Sequence, residues 1–131
     1  DGPQEERWAN TRLIRRYLVA EGWVSPDTYC DYFEPIIDGP AVYLFLLHRT
    51  VDDHATGLVA YVGMSSSLSQ RLAGHEVLRE IARPGYWPMR WFRPTPPAAL
   101  RATEAIYIRR FDPPWNIVGR AKGMALPRGA A

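Results

Sequence analysis

Apolar residues change their period several times along this chain, and each change marks an element. Over residues 5–22, Trp8, Leu13, Ile14, Tyr17 and Leu18 fall near helical spacing, with Arg7, Arg12, Arg15 and Arg16 largely on the other side. That pattern predicts an amphipathic helix ended by Gly22. Ser25-Pro26-Asp27 predicts a turn or a second helix start, and Pro35 with Asp38-Gly39-Pro40 punctuates the chain before a new unit. Residues 42–47 and 58–62 are short apolar runs of strand type, joined by a polar ten-residue connector, which predicts a β-hairpin with a long loop. The serines at 65–67 offer an N-cap to a helix carrying Leu68, Leu72, Val77, Leu78 and Ile81, stopped by Arg83-Pro84-Gly85. Residues 86–93, aromatic but interrupted by Pro88, read as an edge-type strand. Pro96-Pro97 opens a last helix over residues 97–111, closed by Asp112-Pro113-Pro114.

The elements add up to an α+β fold, a small antiparallel three-stranded sheet flanked by helices, with an N-terminal helical extension. Residues 1–36 form that extension, residues 37–120 the main domain and residues 121–131 a loosely held tail. A chain of 131 residues suits one compact domain, and no apolar run approaches the ~20 residues needed to span a bilayer. The first residues lack the basic and apolar stretches of a secretory signal, so a cytoplasmic protein is expected. Cys30 is the only cysteine, which excludes an intrachain disulfide and a cysteine-based zinc module. The formal net charge is only +2, yet among the 16 basic residues Lys122 is the only lysine. Arginine's planar fork grips phosphate in bidentate fashion, so the bias is compatible with a nucleic-acid partner met by a local basic face.

Hydrolysis of a phosphodiester needs a positioned, deprotonated water, a divalent cation and donors for the nonbridging oxygens. Arg71 and His75, four residues apart on a helix, project from one face and could meet one phosphate. Glu104 lies within the last helix among Ala102, Ala105, Ile106 and Ile108, where a carboxylate could ligate Mg²⁺ or Mn²⁺. Tyr43 and Tyr61 stand on the two strands of the hairpin. A phenol has an unperturbed pKa of ~10, but beside Arg71 or a metal-bound water its phenolate is favoured.

Residues 41–116 resemble the GIY-YIG nuclease domain, found in homing endonucleases, the incision subunit of bacterial excision repair, some restriction enzymes and structure-specific nucleases. Ala41-Val42-Tyr43 and Tyr61-Val62-Gly63 stand in place of its two tripeptides, the segment from Ser67 to His75 is similar to its arginine helix, and Pro113-Pro114-Trp115-Asn116 to its closing Pro-Pro-x-Asn. The resemblance implies a DNA endonuclease in which Glu104 binds a single divalent ion and Arg71 stabilises the transition state. By the same resemblance Tyr61 or Tyr43 is general base, with Tyr61 slightly favoured, and Asn116 braces the site. Two departures are visible. Ala41 replaces the first glycine, which an ordinary strand tolerates, and Met64 stands where many relatives carry a lysine.

Other groupings read more plainly. His48 and His54 with Asp52 and Asp53 suggest a solvated loop rather than a metal site, and Cys30 looks structural. Tyr86, Trp87, Trp91 and Phe92 read first as core, although with Arg90 and Arg93 they could stack on and bind nucleic acid. Rival readings are a catalytically silent nucleic-acid-binding module, or a subunit of a larger nuclease docking through residues 1–36. With little chain left for target recognition, relaxed specificity or recognition of a DNA structure is expected, and RNA stays open as a substrate.

Overall fold

The computed structural model describes residues 8–25, 39–51, 53–68, 76–81 and 85–116. The elements are β1 (Ala9–Asn10), α1 (Thr11–Ala20), β2 (Ala41–Val51), β3 (His54–Ser65), α2 (Glu76–Ile81), β4 (Trp87–Pro94), a 3₁₀ turn (Pro97–Ala99) and α3 (Leu100–Phe111). They build an α+β fold around one antiparallel sheet of order β1-β3-β2-β4.

The sheet has four strands rather than three. The additional strand comes from the segment expected to be helical throughout. Asn10 Oδ1 accepts from the backbone N–H groups of Arg12 at 2.9 Å and Leu13 at 3.3 Å, so the helix starts at Thr11 rather than near residue 5. That cap releases Ala9 and Asn10 to pair with Gly57 and Thr56. Asn10→Ala removes the cap, and a loss of about 1 kcal/mol is expected. Urea unfolding with an unchanged m-value tests it, and a midpoint equal to wild type would refute the capping role.

The hairpin is also longer than its apolar runs suggest. The strands extend to Val51 and from His54, so the expected ten-residue loop shrinks, and Asp53 takes φ 65°. Aspartate tolerates this left-handed conformation better than most residues. The polar residues from His48 to Thr50 escaped a strand reading because this end of the sheet is only partly covered, so the ladder continues there without a buried apolar pattern.

Pleat alternation divides the side chains between two cores. Ala41, Tyr43, Phe45 and Leu47 of β2 pack with Leu58, Phe92 and Trp115 on one face, beside Val77, Leu78 and Ile81. Val42, Leu44 and Leu46 pack with Val59, Val62 and Trp91 on the opposite face, under Ile14, Tyr17 and Leu18 of α1 and Leu100 and Tyr107 of α3. Within the predicted amphipathic helix, Leu13 is 58% exposed while Thr11 is buried. Helix α1 seats close to the strand at Gly57, where a Cβ would stand 3.0 Å from Leu46 Cδ1 and 3.2 Å from Thr11 Oγ1.

Helix ends behave as their sequences require. Beyond α1, Trp23 N–H donates to Leu18 O and Gly22 N–H to Val19 O, with Gly22 at φ 91°. This is a Schellman motif closed by glycine. Glu21 then joins the helices, because Tyr107 Oη donates to its Oε1 at 2.9 Å and Arg110 contacts both Glu21 and Tyr17. Among the described residues, no helix is long and apolar enough to cross a membrane.

Candidate functional site

Tyr43 and Tyr61 lie on one face of the sheet, on adjacent strands. Tyr43 opposes Gly63 and Phe45 opposes Tyr61, so the tyrosines are diagonal neighbours with ring centroids 6.3 Å apart. Gly63 is what lets them sit there. A Cβ at that position would fall 2.6 Å from both Cζ and Oη of Tyr43 and 2.9 Å from Cε2 of Tyr61. Tyr43 is 1% exposed and Tyr61 is only half-buried. Phe45 stacks on Tyr61 at 5.9 Å and tilts against Tyr43 at 5.6 Å, which fixes both rings.

β3 carries an irregularity beside Tyr61: the register passes from Phe45↔Tyr61 to Leu46↔Val59, leaving Ala60 as an extra residue. A bulge of this kind bends a strand and re-aims neighbouring side chains. The segment after α3 secures it. Asp112, in a left-handed conformation at φ 46°, ends the helix with its N–H on Ile108 O, and Pro113 cannot continue it. Trp115 N–H then donates to Ala60 O at 3.0 Å. Asn116 completes a strand-like pair through its side chain: Val62 N–H donates to Oδ1 at 2.6 Å, and Nδ2 donates to Val62 O at 2.7 Å. The Pro-Pro-Trp-Asn sequence is therefore an edge clamp on the residue next to Tyr61.

Asn116→Asp keeps the acceptor for Val62 N–H but sets a carboxylate oxygen against Val62 O. A loss of about 1–3 kcal/mol near neutral pH is expected. The deficit should shrink on acidification, as the protonated carboxyl regains a donor. Thermal melts of both proteins across pH check this, and an unchanged Tm at pH 7 would remove the clamp from the site.

Glu104 belongs to α3, which packs on β3 and β2. At 100° per residue it falls between Leu100, Tyr107, Ile108 and Phe111, inside the helix's apolar stripe. Burial raises its carboxyl pKa above the usual carboxylate range, and the charge of Arg101 offsets this only in part. No hydrogen bond or ion pair joins it to another described residue. A carboxylate on the covered stripe of a helix costs stability unless something compensates its charge.

The structure joins Tyr43, Tyr61 and Asn116 through Val62 and Gly63. Glu104 belongs to a helix that packs in the opposite core through Leu100 and Tyr107 and also contacts β3, the strand of Tyr61. Arg71 and His75 lie outside the described residues. Arg90 and Arg93, adjacent in the sequence grouping, are separated by the pleat. Arg90 opposes Phe45 on the tyrosine face, while Arg93 opposes Val42 and donates from Nε to Glu21 O at 3.0 Å on the other. The aromatic run divides similarly, for Trp91 and Phe92 are buried as expected but Trp87 is 57% exposed. Among the described residues, no three of His, Cys, Asp and Glu converge as a metal cluster. His48 sits within β2 rather than in a loop, and His54 is exposed at the start of β3.

Sequence reasoning missed the structural role of Gly63 and the bulge at Ala60. The glycine had a signal, its place two residues after a strand tyrosine, but the clash appears only once Tyr43 is laid across it. No protein-family model, curated protein or solved structure matches this chain.

Proposed function

We propose that this chain is a cytoplasmic, metal-dependent endonuclease of the GIY-YIG type that hydrolyses phosphodiester bonds in DNA. The observation that carries the reading is Glu104, a carboxylate held on the covered stripe of α3 with its charge only partly offset by Arg101. A divalent cation suits such a group, since Mg²⁺ keeps most of its waters and takes only one or two protein carboxylates. Glu104 would hold that ion. Bound there, Mg²⁺ or Mn²⁺ would neutralise charge developing on the phosphate.

The chain's own residues divide the remaining work. Tyr61, less buried than Tyr43, takes the proton of the attacking water as the water oxygen bonds to phosphorus. The bond to the leaving strand breaks, and the leaving oxygen takes a proton from solvent. Arg71 favours the phenolate and, with His75, donates to the nonbridging oxygens. Tyr43 backs Tyr61 from the core, Asn116 holds the strand, and Arg90 meets a flanking phosphate from the same face. Arg93 is left out of this site because its Nε donates to Glu21 O and its guanidinium lies over Tyr107.

Incubation with supercoiled plasmid and Mg²⁺ or Mn²⁺ tests the proposal, with nicking expected and EDTA abolishing it. Salt-sensitive DNA binding without nicking under any divalent ion would instead identify a silent binding module. A panel of single-stranded, duplex, flap and junction DNA then defines the substrate.

A further inference from the structure

On the face of the sheet away from Tyr43 and Tyr61, a cleft of about 530 Å³ opens between α1 and the strands. Its volume lies within the range of ~300–1,000 Å³ common for small-molecule sites. One flank of α1 supplies Arg12, Arg15 and Arg16, and the sheet supplies His48 and Trp91. Among the described residues, no acidic residue lines it and none of the three arginines forms an ion pair. Like charges at helical i, i+3 and i+4 spacing repel one another, so the cluster carries a cost in the free protein.

Two buried residues, Thr11 and Trp91, form part of its wall at 5% and 3% exposure. Beside His48, with ring centroids 6.0 Å apart, stands the exposed indole of Trp87 on the same face. Phosphate oxygens match planar guanidinium forks, and an exposed indole offers a plane on which a base stacks.

We infer that this cleft is a second site, binding a nucleotide unit with its phosphate on Arg12, Arg15 and Arg16 and its base against Trp87. The source is either a free mononucleotide or one nucleotide of a single strand, and both present the same chemistry. The site is independent of the cleavage chemistry proposed above, since it uses none of its residues and lies on the face of the sheet away from Tyr43 and Tyr61.

The test uses the full chain in EDTA, where no cleavage occurs, so its outcome does not depend on nuclease activity. Probes are fluorescein-labelled (dT)12 and thymidine 5′-monophosphate, read by anisotropy and by quenching of tryptophan fluorescence. Arg12→Ala/Arg16→Ala should weaken binding about tenfold or more and reduce the salt slope by about 0.7 for each phosphate that an arginine no longer neutralises. Arg101→Ala/Arg109→Ala, which removes the same charge from α3, should change affinity less than about twofold. Trp87→Ala should abolish most of the quenching and weaken binding roughly tenfold. Displacement of (dT)12 by the mononucleotide assigns the site to a single nucleotide unit, and failure to displace it assigns the site to a strand. Equal weakening by the two arginine pairs, displacement by inorganic phosphate alone, or equally tight binding of polyglutamate would overturn the inference.

Discussion

Replacing Glu104 by Gln should abolish cleavage while leaving the protein at least as stable as wild type. If the carboxylate holds the metal, its loss removes several kcal/mol of charge stabilisation from the transition state, a rate decrease of roughly 10³-fold or more. An ordinary surface glutamate would give no such effect. Stability should move the other way because the carboxyl is partly buried, and desolvation raises its pKa with only partial relief from Arg101. A carboxyl whose folded pKa exceeds its unfolded value binds its proton more tightly in the folded state. Its contribution to stability is therefore fully present below the unfolded pKa and lost as pH rises through the raised folded pKa.

Wild type and Glu104→Gln should accordingly melt closest together in acid, with the variant gaining relative stability towards neutral pH. Mg²⁺ should narrow the neutral-pH gap by pairing the wild-type charge. Cleavage should fade on acidification at a higher pH than an unperturbed glutamate would give, as protons displace the metal from its ligand. Plasmid nicking and thermal melts from pH 4 to 8 measure both effects. Full activity in Glu104→Gln would end the metal-site reading, and a stability gap flat across pH would show that the carboxyl is not desolvated.

Gly63→Ala is the second substitution with a large expected effect. The new methyl meets Tyr43 at 2.6 Å and Tyr61 at 2.9 Å, and Tyr43 is enclosed by the core and cannot swing clear. Overpacking of this kind costs about 1–3 kcal/mol. Displacing either ring by about 1 Å should also cost around 10²-fold in cleavage rate, because proton transfer depends on placement. Gly57→Ala on the same strand is the contrast, since its Cβ meets only side-chain tips at 3.0–3.3 Å. These can yield by small rotations, so a smaller loss of stability is expected. Denaturant unfolding and single-turnover cleavage of both variants check the comparison, and a Gly63→Ala protein with wild-type stability and rate would show the tyrosine placement to be unimportant.

The legibility of this chain varied with burial. Strand β4 and helix α3 were readable because an aromatic run and an apolar stripe were each bounded by prolines. The middle of the β2–β3 hairpin was readable as two apolar runs, whereas its far end was not, since exposed strands need no apolar alternation. Asn10 shows a second limit. As a cap residue it is a helix-start signal, but only pairing with Thr56 and Gly57 makes the two residues before the helix a strand. The site divides in the same manner. Tyr43, Tyr61, Glu104 and Asn116 could be chosen only through the order they share with a known family, because a strand tyrosine and a helix glutamate are ordinary for their elements.

The sequence by itself determined the α+β character, the order of the principal elements and a set of residues whose chemistry suits phosphodiester hydrolysis. Only the tertiary structure decided which of them share a surface. Strand alternation and helix packing separate Arg90 from Arg93, bring Asn116 back onto Val62 across 54 positions, and set the arginines of α1 against His48 and Trp91. Local periodicity is fixed by nearest neighbours along the chain, whereas a site is fixed by contacts between elements distant in sequence. Those contacts exist only after both faces of the sheet have been covered.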